Sequence, residues 1–226
     1  VSIVLKELGI DSKLLGFTAG FTGDAIEKGL ADMGIDTDFV RLKNGNSRIN
    51  VKIKSTEETE LNCQGPDIDG NAVEMLFEKL NSLSDGDILV LAGSIPSSLP
   101  SDIYERILKR ISDKKVKTIV DATNDLLLNV LKYRPFLIKP NNHELGEIFG
   151  IELKTDEEIE MYARKLRDMG AVNVLVSMAG DGAMLIDEAG NTHRCGVCKG
   201  KVKNSVGAGD SMVAGFTAGI QNGDYE

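Results

Sequence analysis

The run Asp87-Ile-Leu-Val-Leu-Ala92 is apolar on both alternating faces once past its first residue. A strand with one wet face alternates, so an uninterrupted apolar run asks for cover on both sides, the condition of a central parallel strand. Lys117-Thr-Ile-Val-Asp121, Pro135-Phe-Leu-Ile-Lys139, Asn173-Val-Leu-Val-Ser177 and Ala183 to Ile186 read as further strands. Helical patterns stand between them. Residues 70–83 place Val73, Leu76, Leu80 and Leu83 on one face, and 101–112 align Ile103, Ile107 and Ile111. Another helix follows Pro140-Asn-Asn-His-Glu144, and 156–169 turns Ile159, Ala163 and Leu166 inward. Alternation of this kind predicts an α/β fold: a mostly parallel sheet with helices on both faces. Ligands in such sheets bind beyond the strand C-termini. Loops 93–100, 121–125, 139–144, 177–182 and 204–210 would share that rim.

The chain opens with a helix over residues 1–9, stopped by Gly9. Lys13 to Phe17 reads as a strand, followed by a loop and a helix running to about Met33, with Thr22 or Asp24 as its cap. Residues 36–65 then break the α/β rhythm. Arg48-Ile-Asn-Val-Lys-Ile-Lys54 alternates strictly, with Arg48, Asn50, Lys52 and Lys54 on one face and Ile49, Val51 and Ile53 on the other. Thr59 to Cys63 is the return strand of a hairpin. A hairpin inserted into an α/β chain is a candidate lid. Its polar face is cationic, suited either to an anionic substrate or simply to solvent. The expected organisation is a core of residues 1–35 and 66–226 with a β lid segment at 36–65. The chain has no initiator Met and is expected to be incomplete at both ends.

The net charge of −9 argues against a general nucleic-acid binder. No apolar run is long enough to span a bilayer as a helix, and no signal peptide is read. Three cysteines make a poor disulfide framework, so a reducing cytosol is the expected compartment. Cys195 and Cys198 form a C-x-x-C with no second pair, and they read as ordinary strand residues rather than a metal or redox site.

The stretch with most chemistry in it is Asn204-Ser-Val-Gly-Ala-Gly-Asp-Ser211. The alternating run Cys198 to Lys203 before it reads as a strand. Met212, Val213, Phe216 and Ile220 after it repeat at helical spacing. Gly207 and Gly209 allow a sharp turn and a close backbone approach. The N–H groups from Gly207 to Asp210 lack partners within the helix and lie at the positive end of its dipole, which makes an anion site. Asp210 falls in the first turn. A carboxylate beside an anion hole can take a proton from a hydroxyl while the hole takes developing charge. The same pattern also serves a plain helix cap.

These residues together resemble a known family. The carriers are Asn204 to Ser211, Lys139-Pro-Asn-Asn-His-Glu144, Ser177-Met-Ala-Gly-Asp-Gly182, Leu91-Ala-Gly-Ser-Ile-Pro-Ser-Ser-Leu-Pro100 and Ser47-Arg-Ile-Asn50. They are similar to the ribokinase-like sugar kinases, and within them to the phosphofructokinase B branch. The resemblance implies a three-layer α/β/α core with a small β lid. It implies ATP-dependent phosphorylation of fructose 1-phosphate at its 6-hydroxyl, with Mg²⁺. Asp210 matches the family's base, and Gly207, Ala208 and Gly209 its anion hole. Asn141 and Glu144 match an N-x-x-E motif that organises Mg²⁺, their spacing being also that of a helix capping box. Lys139 precedes that motif near the phosphates. Ser177, Gly180, Asp181 and Gly182 match a turn along the nucleotide; the same turn also fits a plain link between two strands. Arg48 and Asn50, assisted by Lys52, match lid positions that meet the sugar phosphate.

Lys199, Lys201 and Lys203 are read as a solvated face. Asn204 stands where many relatives of the family carry an Asp that helps hold a monovalent cation, which leaves K⁺ activation unsupported. No family role is carried to Asp121-Ala-Thr-Asn-Asp125. The rival readings are a tagatose 6-phosphate kinase and a non-catalytic sugar-phosphate-binding regulator. The apolar lid face of Ile49, Val51 and Ile53 is expected to pack on a second copy, giving a homodimer.

Overall fold

The computed structural model describes residues 1–54, 58–93, 95–198, 200, 202 and 206–223; the side chains of residues 52, 54 and 58–60 are outside that description. The chain divides into two compact units, Ser2–Ser82 with Ile95–Pro100, and Val1 with Leu83–Ser94 and Ser101–Glu226.

The first unit begins with α1 (Ser2–Glu7), β1 (Lys13–Leu14), β2 (Phe17–Thr18) and α2 (Gly20–Asp32). The strand expected over Lys13 to Phe17 is therefore two short ones. They have different partners: β1 pairs in parallel with β3 (Asp36–Thr37), and β2 with β4 (Val40–Arg41). The cap of α2 also departs from expectation. Its N-cap is Ala19, and neither Thr22 nor Asp24 serves. Chain-distant residues cover this end instead. Ser47 Oγ accepts from Ala19 N–H at 3.0 Å, and Asn46 Oδ1 accepts from Phe21 N–H at 3.2 Å. Thr22 Oγ1 donates to the Ser47 carbonyl at 2.8 Å.

The hairpin is β5 (Asn50–Lys54) paired antiparallel with β6 (Glu58–Asn62). Arg48 lies just ahead of it rather than inside. The hairpin register sets Lys52 opposite Glu60 and Lys54 opposite Glu58. The following helix, α3 (Gly70–Leu80), is capped by Asp69 and buries Val73, Leu76 and Leu80; it stops before Leu83.

The second unit contains β7 (Ile88–Ala92), α4 (Ile103–Arg110), β8 (Lys117–Asp121), α5 (Asn124–Val130) and β9 (Leu137–Ile138). It continues with α6 (Asn142–Phe149), α7 (Asp156–Asp168), β10 (Asn173–Ser177), β11 (Ala183–Ile186), β12 (Thr192–Cys195) and α8 (Ala208–Asn222). One sheet holds all six strands in the order β12-β11-β10-β9-β8-β7. β7 to β10 run parallel, and β11 and β12 return antiparallel. The run 88–92 is thus the outer strand of this sheet, not a central one, and Ile88, Leu89 and Val90 are only half-buried.

Alternation along the strands explains the layers. Ile119, Leu137, Leu175 and Leu185 point to one face and pack with Val213, Phe216 and Ile220 of α8. Val120, Ile138, Val174 and Val176 alternate with them and are fully buried on the other face, the side of the helices packed along the sheet, among which α7 lies against β10 and β11. Each such side chain removed from water contributes about 1.5–3 kcal/mol. Helices therefore cover both faces, as the alternating pattern requires. In this unit the structure adds α5, which was not anticipated, and β12, which takes in Cys195, read from the sequence as a strand residue. Of the strand expected over 198–203, Cys198 is not in a strand, and Lys199, Lys201 and Lys203 lie outside the described residues, as does Asn204.

Candidate active site

The C-terminal ends of β8, β9 and β10 lead into Asp121, Lys139 and Ser177. These are neighbouring strands, so residues distant in sequence meet at one rim. The Ser177 N–H donates to the Pro140 carbonyl at 3.1 Å, and Asn141 bridges to Ser177 in parallel register. The loop after β9 and the loop after β10 therefore run side by side.

Asn141 caps α6. Its Oδ1 accepts from the Glu144 N–H at 2.8 Å, and Glu144 Oε2 accepts from the Asn141 N–H at 2.8 Å. This is the reciprocal capping box that the spacing predicts. It fixes both side chains and leaves Glu144 Oε1 outside the cap. No group of three or more His, Cys, Asp or Glu among the described residues is placed to hold a metal ion.

The turn Ala179–Asp181 links β10 to β11. Gly182 closes it at φ +90°, where a Cβ would sit 2.0 Å from the Cys195 carbonyl oxygen of β12. That glycine is demanded by sheet packing. At Gly180 a Cβ would meet nothing within 4 Å, so packing makes no such demand there. Gly180 and Asp181 are exposed on the turn.

α8 starts at Ala208, with Gly207 as its N-cap at φ +80° and no side-chain cap. The left-handed turn is what glycine permits at low cost. Ser211 returns its N–H and its Oγ–H to the Gly207 carbonyl, at 2.9 and 2.8 Å. Asp210 is exposed in the first turn.

Lys139 is the unusual residue of the rim. It is only 6% exposed, and its Nζ lies 3.3 Å from Asp121 Oδ1. A Cβ on Gly209 would stand 3.2 Å from that same Nζ. The ammonium thus sits against the first turn of α8, at the positive end of the helix dipole. Asp121 feels both neighbours. Burial raises its carboxyl above the usual aspartate range, Lys139 pulls it back, and the charge of Asp210 raises it further. Tyr104 completes the surroundings. Its hydroxyl donates to the Gly93 carbonyl at 3.0 Å, and burial, with the charge of Asp121, pushes it up to about 12.

Asp121 and Tyr104 belong to no motif of the sequence. The signal for Asp121 was available, since it is an acid at a strand C-terminus on the expected rim. Arg48 and Asn50 lie in the first unit, both exposed, Arg48 with bonding partners of its own. The Lys52 side chain lies outside the described residues.

The model of the pfkB family of carbohydrate kinases matches residues 1–225. The chain belongs to the pfkB family. Among curated pfkB relatives, the 1-phosphofructokinase of Bacillus subtilis is 48% identical over 220 residues, covering 97% of this chain and 72% of that protein. The D-tagatose-1-phosphate kinase of Bacillus licheniformis is 40% identical over 217 residues, covering 96% and 71%. Among solved structures, phosphofructokinase-2 from Escherichia coli in complex with substrates and products is 25% identical with a TM-score of 0.88, over 99% of this chain and 74% of that one. The pfkB assignment agrees with the mostly parallel sheet and its helix-covered faces. It makes the protein an ATP-dependent sugar kinase.

Proposed function

We propose that the protein transfers the γ-phosphoryl group of ATP to the 6-hydroxyl of fructose 1-phosphate, giving fructose 1,6-bisphosphate and ADP. The observation that carries this reading is the first turn of α8: an exposed carboxylate, an uncapped run of N–H groups and a buried ammonium, in a pfkB chain. Phosphoryl transfer needs positioning and charge stabilisation more than covalent help from the protein. Asp210 takes the proton of the attacking hydroxyl. The N–H groups at Gly207, Ala208 and Gly209 face the transferred phosphoryl group, and Lys139 adds a cation beside them.

The nucleotide lies along Lys139, Asn141 and the turn of Ser177, Gly180, Asp181 and Gly182. Arg48 and Asn50, with Lys52, hold the phosphate already on the sugar, the guanidinium being suited to bidentate contact. A carboxylate and an amide suit Mg²⁺, a hard cation that keeps several waters, so Glu144 and Asn141 would hold it largely through water. When bound, the ion neutralises charge on the ATP phosphates. Both curated relatives bear names with a 1-phosphate sugar, which favours fructose 1-phosphate over tagatose 6-phosphate.

No helix among the described residues is long and apolar enough to cross a membrane. The lid face carries exposed Ile49, Val51, Ile53 and Leu61, an apolar surface that a second lid would cover in a homodimer. ADP release with Mg·ATP, compared across fructose 1-phosphate, tagatose 6-phosphate and fructose 6-phosphate, tests the reading. The highest kcat/KM belongs to fructose 1-phosphate. A preference for tagatose 6-phosphate keeps the chemistry and changes the sugar, while ATP binding without turnover of any sugar phosphate leaves the regulator reading.

A further inference from the structure

We propose that Asp121 is a positioning residue that acts through Lys139: it holds the ammonium against the first turn of α8, where the transferring phosphoryl group is met. This rests on the phosphoryl-transfer reading of that turn. Three observations meet here. Lys139 is buried, and a buried cation needs a partner. Its Nζ is placed at the positive end of a helix, where the dipole repels it. Among the described residues its ion-pair partner is Asp121, at 3.3 Å.

The arrangement is unfavourable for the ammonium until an anion arrives. Without Asp121, Lys139 would be driven away from Gly209 toward solvent. With Asp121, it stays beside the N–H groups, already in place for charge that develops on the phosphoryl oxygens. Gly209 makes room, since any side chain there would begin at the ammonium. The strand order makes the pair: β8 and β9 are neighbours, the acid ends β8 and the lysine follows β9.

The test is a double-mutant cycle with Asp121→Asn, Lys139→Met and both together, read by kcat, by KM for ATP and by thermal melting. Asp121→Asn is expected to lower kcat by about tenfold or more without raising KM for ATP, because the unbalanced ammonium still attracts the nucleotide. In the Lys139→Met background the same substitution is expected to cost less than about twofold. Losses that multiply, or an Asp121→Asn enzyme within about twofold of wild type, overturn the proposal. A general structural defect would raise KM and lower kcat together, which also overturns it. If Asp121→Asn does not fold, Asp121→Glu is used. It keeps the charge but moves it by one methylene, so a lower kcat with ATP affinity retained supports the pair, and an unchanged kcat overturns it. A wild type that turns over no sugar phosphate counts against the reaction and not the pair. The pair is then read by calorimetry with ATP, where Asp121→Asn binds at least as tightly as wild type, and a tenfold weaker Kd overturns it.

Discussion

A Cβ on Gly209 would stand 3.2 Å from Lys139 Nζ, so the first turn of α8 lies tight against a buried ammonium at a residue that has no side chain. The contact joins the anion-binding turn to the strand that carries the lysine. It turns two separate sequence motifs into one site.

Gly209→Ala tests that closeness. Its backbone lies outside the left-handed region, so alanine is tolerated there and the fold should hold. The added methyl presses on the ammonium and shifts it by a few tenths of an ångström. The expected result is a kcat lower by about tenfold with melting temperature unchanged or raised. Steady-state kinetics beside a melting curve decides it, and an unchanged kcat shows that the rate does not depend on where the ammonium sits.

Gly182→Ala should act on stability. At φ +90° a Cβ would meet the Cys195 carbonyl oxygen at 2.0 Å, and that oxygen is backbone of a paired strand. Strain and displacement together should cost about 2–4 kcal/mol in chemical denaturation. A change under about 0.5 kcal/mol contradicts the packing described for β11 and β12.

Asp187 predicts a pH dependence. The residue is fully buried at the end of β11. Burial alone would raise its carboxyl. Hydrogen bonds from His193, from the side chain and N–H of Asn191, and from Gly190 outweigh it and hold the carboxyl well below the usual range. His193 Nε2 is 2.8 Å from Oδ2, and the Asn191 N–H is 2.7 Å from Oδ1. A depressed native value means stability that is present above the unfolded value of about 3.9 and lost as pH falls toward the native one. Asp187→Asn should therefore cost about 2 kcal/mol or more at pH 7, with the gap to wild type narrowing below about pH 4. Melting temperatures from pH 7 to pH 3 measure this, and a gap independent of pH contradicts it.

The lid face gives a prediction on assembly. Val51 is 43% exposed and Leu61, opposite it in register, is 53% exposed. If that face joins two lids, Val51→Asp should convert a dimer into a monomer in light scattering at micromolar concentration. A wild type that is already monomeric removes the proposed interface.

Much of the second unit is legible in the sequence. β8 and β10 fall on the residues their apolar runs mark, and α7 follows from the inward face of Ile159, Ala163 and Leu166. The polar residues at strand ends predict the rim. What escapes is set by partners distant along the chain. The cap of α2 comes from Asn46 and Ser47, which no local pattern near Ala19 announces. The run 88–92 looks central because apolarity reports burial, while sheet order depends on which strands pair. Asp121 reads as a plain strand-end acid until β8 and β9 are paired and Lys139 is seen beside it.

The most direct measurement of the central claim is product identification by ³¹P NMR with Mg·ATP and fructose 1-phosphate, for wild type and Asp210→Asn. Wild type should yield fructose 1,6-bisphosphate and ADP in equal amounts, and Asp210→Asn should form both about 10²–10⁴-fold more slowly while still binding ATP. A phosphate appearing at another position, or an Asp210→Asn rate close to wild type, would contradict the assignment of α8's first turn as the site of transfer.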